Sequence, residues 1–145
     1  MKFIKLTIMA AMMIGLLGAC SDDTKTNTTA SKEEKYVEIP QEAINSTVED
    51  MKGRENIADA TFEVKGNKIE MKLTVKNVSD ADSAIPYADS FLRTTSVYVG
   101  DSNPTESSYG EVYDGYYVNI TVEDPNGIQL LEGDLLPGFS SITWK

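Results

Sequence analysis

The side chains that most often carry out catalysis are scarce in this sequence. The 145-residue chain contains no histidine and a single cysteine, Cys20. Ser-His-Asp and Cys-His mechanisms need an imidazole as general base, and most zinc sites need imidazole or thiolate ligands. The sequence also has no glycine-rich phosphate loop and no Ser-x-x-Lys pattern in its folded part. We therefore expect a protein that is not an enzyme and that holds no metal ion or other cofactor.

Carboxylates are the one catalytic group that the sequence supplies in quantity. The chain has 23 aspartate and glutamate residues, and this abundance prevents any one pair from being singled out. A pair of carboxylates facing each other about 5–9 Å apart in a deep cleft is the arrangement that cleaves glycosidic bonds. An enzyme that uses carboxylates alone, for example on glycans, is therefore one alternative function.

The single cysteine follows an apolar segment at the N-terminus. Lys2 and Lys5 precede an apolar run from Leu6 to Leu17. This run has the length of a signal-peptide core and is shorter than the roughly 20 apolar residues of a membrane-spanning helix. It ends in Leu17-Gly18-Ala19-Cys20.

These four residues resemble the lipobox of bacterial lipoproteins. The resemblance implies that Cys20 carries a diacylglyceryl group with palmitate-type chains, and that a signal peptidase cuts between Ala19 and Cys20. Two acyl chains give stable membrane attachment, whereas one chain gives only reversible binding. We therefore expect a protein anchored at the extracytoplasmic face of the cell membrane. Ser21 and the tether rich in Thr, Ser and Lys favour a Gram-positive type of envelope.

The composition divides the chain into three parts. Residues 1–19 are the predicted signal peptide, residues 20–35 a lipidated N-terminus and disordered tether, and residues 36–145 a single domain. From Ser21 to Lys35 the only apolar residue is Ala30, too little to bury. Fifteen such residues span about 20 Å on average and about 50 Å when extended. The tether would therefore hold the domain close to the membrane surface.

The charge of the mature chain narrows its possible partners. Residues 1–19 contain two lysines and no acid, so the remainder has 11 basic and 23 acidic residues and a formal net charge of −12. A domain this acidic repels nucleic acid and anionic headgroups. We expect attachment to the membrane through the lipid alone, and an envelope protein or glycan as partner.

Hydrophobic periodicity predicts an α+β fold for residues 36–145. Apolar residues at helical spacing predict helices from Ile39 to Met51 and from Asp82 or Ser83, as the N-cap, to Gly100. Strict alternation around Gly66-Asn67 predicts a β-hairpin with a two-residue turn. Further strands are expected at 116–123, 128–135 and 141–145. The order α-β-β-α-β-β favours two helices packed on one face of an antiparallel sheet of four to five strands.

Two local clusters are candidate binding sites. The oxygen-bearing side chains of Asn77, Asp80 and Asp82 lack the spacing of a calcium loop, and helix capping explains them better. Four tyrosines lie within nine residues of a second segment, which has the composition of a protein contact surface; they are Tyr109, Tyr113, Tyr116 and Tyr117. Packing over the edge of the sheet is the structural alternative for these rings.

The leading hypothesis from these observations is a non-enzymatic lipoprotein that binds another component of the cell envelope. A special case of this hypothesis is a phage-type superinfection-exclusion lipoprotein, although no residue in the sequence indicates that role. A small-ligand receptor of a transporter is a second class, although such receptors usually need two α/β lobes.

Overall fold

A computed structural model of the chain describes residues 36–100 and 103–145. The predicted signal peptide, Cys20 and the tether lie outside these described residues. The described part has two α-helices, a short 3-10 helix and one five-stranded sheet, which confirms the α+β class. In chain order the elements are α1 (Gln41–Lys52), β1 (Ile57–Lys65), β2 (Lys68–Val75), α2 (Ala81–Val99), the 3-10 helix (Glu111–Tyr113), β3 (Tyr117–Glu123), β4 (Gln129–Leu135) and β5 (Thr143–Trp144).

The first two strands form the predicted hairpin, with Lys65 opposite Lys68. Gly66 has a φ of 62°, whereas Asn67 is not among the residues with positive φ. This is the pattern of a type II′ turn, whose first central position favours glycine. The strict alternation in the sequence begins at Thr61, whereas β1 begins at Ile57, and a bulge at Ala58 shifts its register before Asp59.

The sheet is mixed, and the prediction of a purely antiparallel sheet was wrong. Its strand order is β1-β2-β3-β4-β5, and β2 and β3 are parallel neighbours. The reason is the connection between them, because α2 carries the chain back along the sheet before β3 begins, as parallel neighbours require. The other three pairings are antiparallel.

The helices cover one face of this sheet. α2 contacts β2, β3 and β4, whereas α1 contacts β1 and α2. Residues at alternate positions of the strands are buried beneath the helices, and those between them are polar and more exposed, as one-sided coverage requires. The largest fully buried side chains include Phe91, Met51, Ile69, Leu73 and Ile120.

The second helix starts before its predicted cap. Asp80, rather than Asp82 or Ser83, is the N-cap residue, and its carboxylate accepts a hydrogen bond from the Ser83 amide at 2.9 Å. Pro86 therefore lies in the second turn of the helix. α2 is the longest helix of the described part, and no helix there is long and apolar enough to cross a membrane.

Candidate functional site

The face of the sheet opposite the two helices carries a polar network that joins β3, β4 and the residue after β5. Asn119 Nδ2 donates hydrogen bonds to Glu132 Oε1 at 3.1 Å and to Asp134 Oδ1 at 2.9 Å. The Tyr117 hydroxyl donates to the same Asp134 oxygen at 2.7 Å. Lys145 forms ion pairs with both carboxylates. The two acids are thus held by neighbouring side chains of the domain itself.

The electrostatics of this network favour two ionised carboxylates. Burial acts to raise the pKa of Asp134, but hydrogen bonds from Lys145, Asn119 and Tyr117 outweigh it and hold the pKa below the usual value. Hydrogen bonds from Lys145 and Asn119 likewise lower the pKa of Glu132. A general acid at neutral pH needs a raised pKa, so this pair is suited to stabilising the sheet rather than to acid catalysis.

The lowered pKa of Asp134 predicts acid sensitivity of the fold. An aspartate titrates near 3.9 in an unfolded chain. Asp134 therefore contributes stability that is fully present above that pH and is lost as the pH falls through its lower folded-state pKa. We expect Asp134→Asn to flatten the decline in unfolding free energy between about pH 5 and pH 2, measured by urea unfolding.

The control for this experiment is Glu106→Gln, which removes one negative charge from an exposed loop position. It should leave the pH dependence of the wild-type protein unchanged. An Asp134→Asn protein with the wild-type pH slope would show that the Asp134 network does not contribute to stability.

The predicted tyrosine surface is largely buried. Tyr109, Tyr113 and Tyr116 are 8%, 3% and 1% exposed, so their rings belong to the core and do not form an exposed contact surface. The 3-10 helix turns Val112 and Tyr113 inward beneath α2. Tyr117, the first residue of β3, is the one member that remains partly exposed, on the open face.

Hydrogen bonds of the buried phenols join separate parts of the fold. The Tyr113 hydroxyl donates to the Leu92 carbonyl of α2 at 2.8 Å, and the Tyr116 hydroxyl donates to the Val37 carbonyl at 2.8 Å. Burial raises the pKa of Tyr113 and of Tyr109. These tyrosines therefore position the segment that follows α2.

A small cleft lies beside Tyr109, where the loop after α2 meets the segment after β4. Its volume is about 180 Å³, and Phe139 and Ser140 line its other side. The guanidinium of Arg93 lies 5.0 Å from the centre of the Tyr109 ring. Arg93 Nε also donates to Asp89 at 2.7 Å, and Arg93 Nη1 donates to the Thr105 carbonyl. Arg93 lies behind Tyr109 and does not line the cleft, which has about half the volume of the groove described next and is therefore the weaker candidate.

The stronger candidate is a groove between α1 and β1, which we name the α1–β1 groove. Its volume is about 350 Å³, and it opens along the outer edge of the sheet. Half-buried Val48 of α1 is the most exposed apolar residue of its lining, to which Ile44, Ala60 and Phe62 of the core add little surface, because they are 7%, 1% and 7% exposed. Polar and charged side chains form the remainder of the lining: Gln41, Asn45, Glu49, Thr61 and Glu63.

The loop with Asn77, Asp80 and Asp82 is a helix start. Asp80 caps α2 through the amide and the hydroxyl of Ser83, at 2.9 and 3.1 Å. Hydrogen bonds from Ser83 also lower the pKa of Asp80. In residues 36–100 and 103–145, no three His, Cys, Asp or Glu side chains lie together in a way that could hold a metal ion.

Comparison with known proteins does not assign the chain to a family. No protein-family model matches it, and no curated protein or solved structure is significantly similar to it. The candidate site therefore depends on the contacts and charges of this chain alone. Sequence reasoning missed the α1–β1 groove, because Ile44 and Phe62 are far apart in sequence and only the strand order places β1 at an edge.

Proposed function

We propose that this chain is a lipid-anchored, non-enzymatic binding module at the extracytoplasmic face of the cell membrane, of the Gram-positive type. The anchor rests on the lipobox-like residues from Leu17 to Cys20 and the basic residues before them. The partner is another component of the envelope, a protein or a glycan. Because the mature chain is acidic, it repels nucleic acid and anionic lipid headgroups, and we propose neither as a partner.

One observation carries the binding function: a groove with mixed apolar and polar lining lies beside β1, whose outer edge pairs with no other strand of the described residues. Ligand pockets for small molecules enclose roughly 300–1,000 Å³ and bury most of the ligand. The α1–β1 groove is at the small end of that range, and it runs along a sheet edge. This shape suits part of a larger partner better than a free small molecule.

The absence of histidine from the sequence supports a role without catalysis. Glu63 and Glu70 lie opposite each other and both pair with Lys65. Glu132 and Asp134, which also lie close together, hold Asn119 and Lys145. Their lowered pKa values suit structural ion pairs.

Photo-crosslinking on intact cells tests this function. A benzophenone amino acid in place of Asn45, on the rim of the α1–β1 groove, should give a crosslinked adduct of discrete mass. The matched control places the same group at Ser140, which is exposed and borders the cleft beside Tyr109. We expect no adduct from Ser140. Absence of an adduct from Asn45, or equal adducts from both positions, would contradict binding through the groove.

A further inference from the structure

The outer edge of β1 presents backbone groups that no other strand of the described part engages. Asn67, which precedes β2, accepts a hydrogen bond from the Tyr117 amide of β3 at 2.9 Å. Backbone groups alternate in direction along a strand, so odd-numbered residues of β2 face β3 and even-numbered ones face β1. With Lys65 opposite Lys68, the odd-numbered residues of β1 bond to β2.

The even-numbered residues of β1 therefore direct their N–H and C=O groups outward. These residues are Ala60, Phe62 and Val64, and β1 is the terminal strand of the sheet order. An extended chain laid alongside them would continue the ladder as an additional strand, the mode known as β-augmentation. The bulge at Ala58 interrupts the edge before Asp59, so the regular stretch available for pairing runs from Ala60 to Lys65.

The α1–β1 groove provides space for the side chains of such a strand. Side chains of an added strand alternate between the helix side and the open face of the sheet. Those on the helix side would enter the groove between α1 and β1, chiefly against Val48 and the small exposed parts of Ile44 and Phe62. Backbone pairing would give affinity, and the groove would select apolar side chains at alternate positions.

The charge of the groove indicates what kind of strand fits. The charged residues that line it are Glu49 and Glu63, both acidic, and Glu63 also pairs with Lys65 Nζ of the same strand at 2.7 Å. A second copy of this chain, paired through its own β1, would bring a second Glu49 and Glu63 to the same edge. A segment with lysine or arginine between its apolar residues has the complementary charge.

We propose that an extended basic segment of a partner protein adds to β1 as a sixth strand, with its apolar side chains in the α1–β1 groove. The proposal rests on the proposed binding function and names the chemistry of the partner. It also predicts a pattern that binding through side chains alone would not produce, because only alternate amides of β1 gain a partner.

Hydrogen exchange of the intact chain in a neutral detergent tests the proposal, with the peptide acetyl-Lys-Val-Lys-Val-Lys-Val-Lys-amide as probe. We expect the amides of Phe62 and Val64 to exchange at least about tenfold more slowly with the peptide; the Ala60 amide already donates to the Asp59 carboxylate, so it does not serve as a probe. The amides of Thr61 and Glu63, already bonded to β2, should change little. Binding without this alternation, or no binding at about 1 mM peptide, would overturn strand addition.

Two variants separate the backbone contribution from the charge contribution. Val64→Pro removes one outward donor at an edge position that tolerates proline, and it should weaken peptide binding at least about tenfold while the chain remains folded by circular dichroism. Glu49→Gln with Glu63→Gln should weaken binding of the lysine peptide but not of a peptide with serine in place of lysine. The control Glu106→Gln should change neither affinity. Unchanged binding by the Val64→Pro or the double-glutamine protein would overturn the proposal.

Failure of this inference and failure of the proposed function give different results. An adduct from Asn45 in cells, without alternating protection by the peptide, would leave the binding function in place and overturn strand addition. An adduct with twice the mass of the chain, together with protection of the β1 edge that rises with protein concentration, would identify a second copy as the occupant. That result would overturn the basic partner.

Discussion

Replacing Tyr113 by alanine is expected to lower the free energy of unfolding by about 3–5 kcal/mol, the cost of removing a large aromatic side chain from a core. Tyr113 is 3% exposed and lies beneath α2. Its hydroxyl also holds the Leu92 carbonyl at 2.8 Å. Small domains have a total stability of about 5–15 kcal/mol, so the variant should unfold at a much lower urea concentration.

One substitution separates the contribution of the Tyr113 ring from that of its hydroxyl, and a second, at Tyr117, is the control for position. Tyr113→Phe keeps the ring and removes one hydrogen bond, and we expect a loss of about 1 kcal/mol. Tyr117→Ala removes the partly exposed tyrosine of the same segment and should also cost about 1 kcal/mol. If Tyr113→Ala unfolded at the same urea concentration as Tyr117→Ala, then Tyr113 would not be a core residue.

Replacing Cys20 by serine is expected to abolish lipid attachment completely. The proposed modification forms a thioether at the Cys20 sulfur, and a hydroxyl does not replace the thiolate as nucleophile at neutral pH. Two acyl chains, each contributing about 0.8 kcal/mol per buried CH₂, would be lost from the membrane attachment. The measurement is incorporation of a clickable palmitate analogue by growing cells, together with partition of the protein into a detergent phase.

The matched control for this substitution is Ser21→Ala, which leaves the residues from Leu17 to Cys20 intact. It should keep both the label and the partition of the wild-type protein. Equal labelling of the Cys20→Ser protein would contradict the lipid anchor.

Local patterns in the sequence predict where the helices and strands lie better than they predict which strands are neighbours in the sheet. The hairpin from Thr61 to Val75 is visible because its residues alternate strictly and Gly66-Asn67 fits a tight turn. The parallel pairing of β2 with β3 depends on how α2 crosses the sheet, and no short window of sequence contains that information. The start of β1 was missed because the bulge at Ala58 breaks the alternation.

The tyrosine-rich segment shows why composition did not identify the candidate site. Tyrosine is common in binding surfaces because it is amphipathic, and the same property lets Tyr113 and Tyr116 pack in the core with their hydroxyls bonded to backbone carbonyls. The α1–β1 groove has no compositional signal, because its apolar residues also follow the pattern of core residues. The groove lies along the sheet edge because β1 is the terminal strand of the sheet order.

The central claim is that a lipid on Cys20 holds this acidic binding domain at the membrane surface. Mass spectrometry of the protein extracted from membranes tests it most directly, through the N-terminal tryptic peptide. We predict a peptide that begins at Cys20, ends at Lys25 and carries the added mass of a diacylglyceryl group. A peptide that begins before Cys20 or at Ser21, or an unmodified Cys20, would contradict the claim.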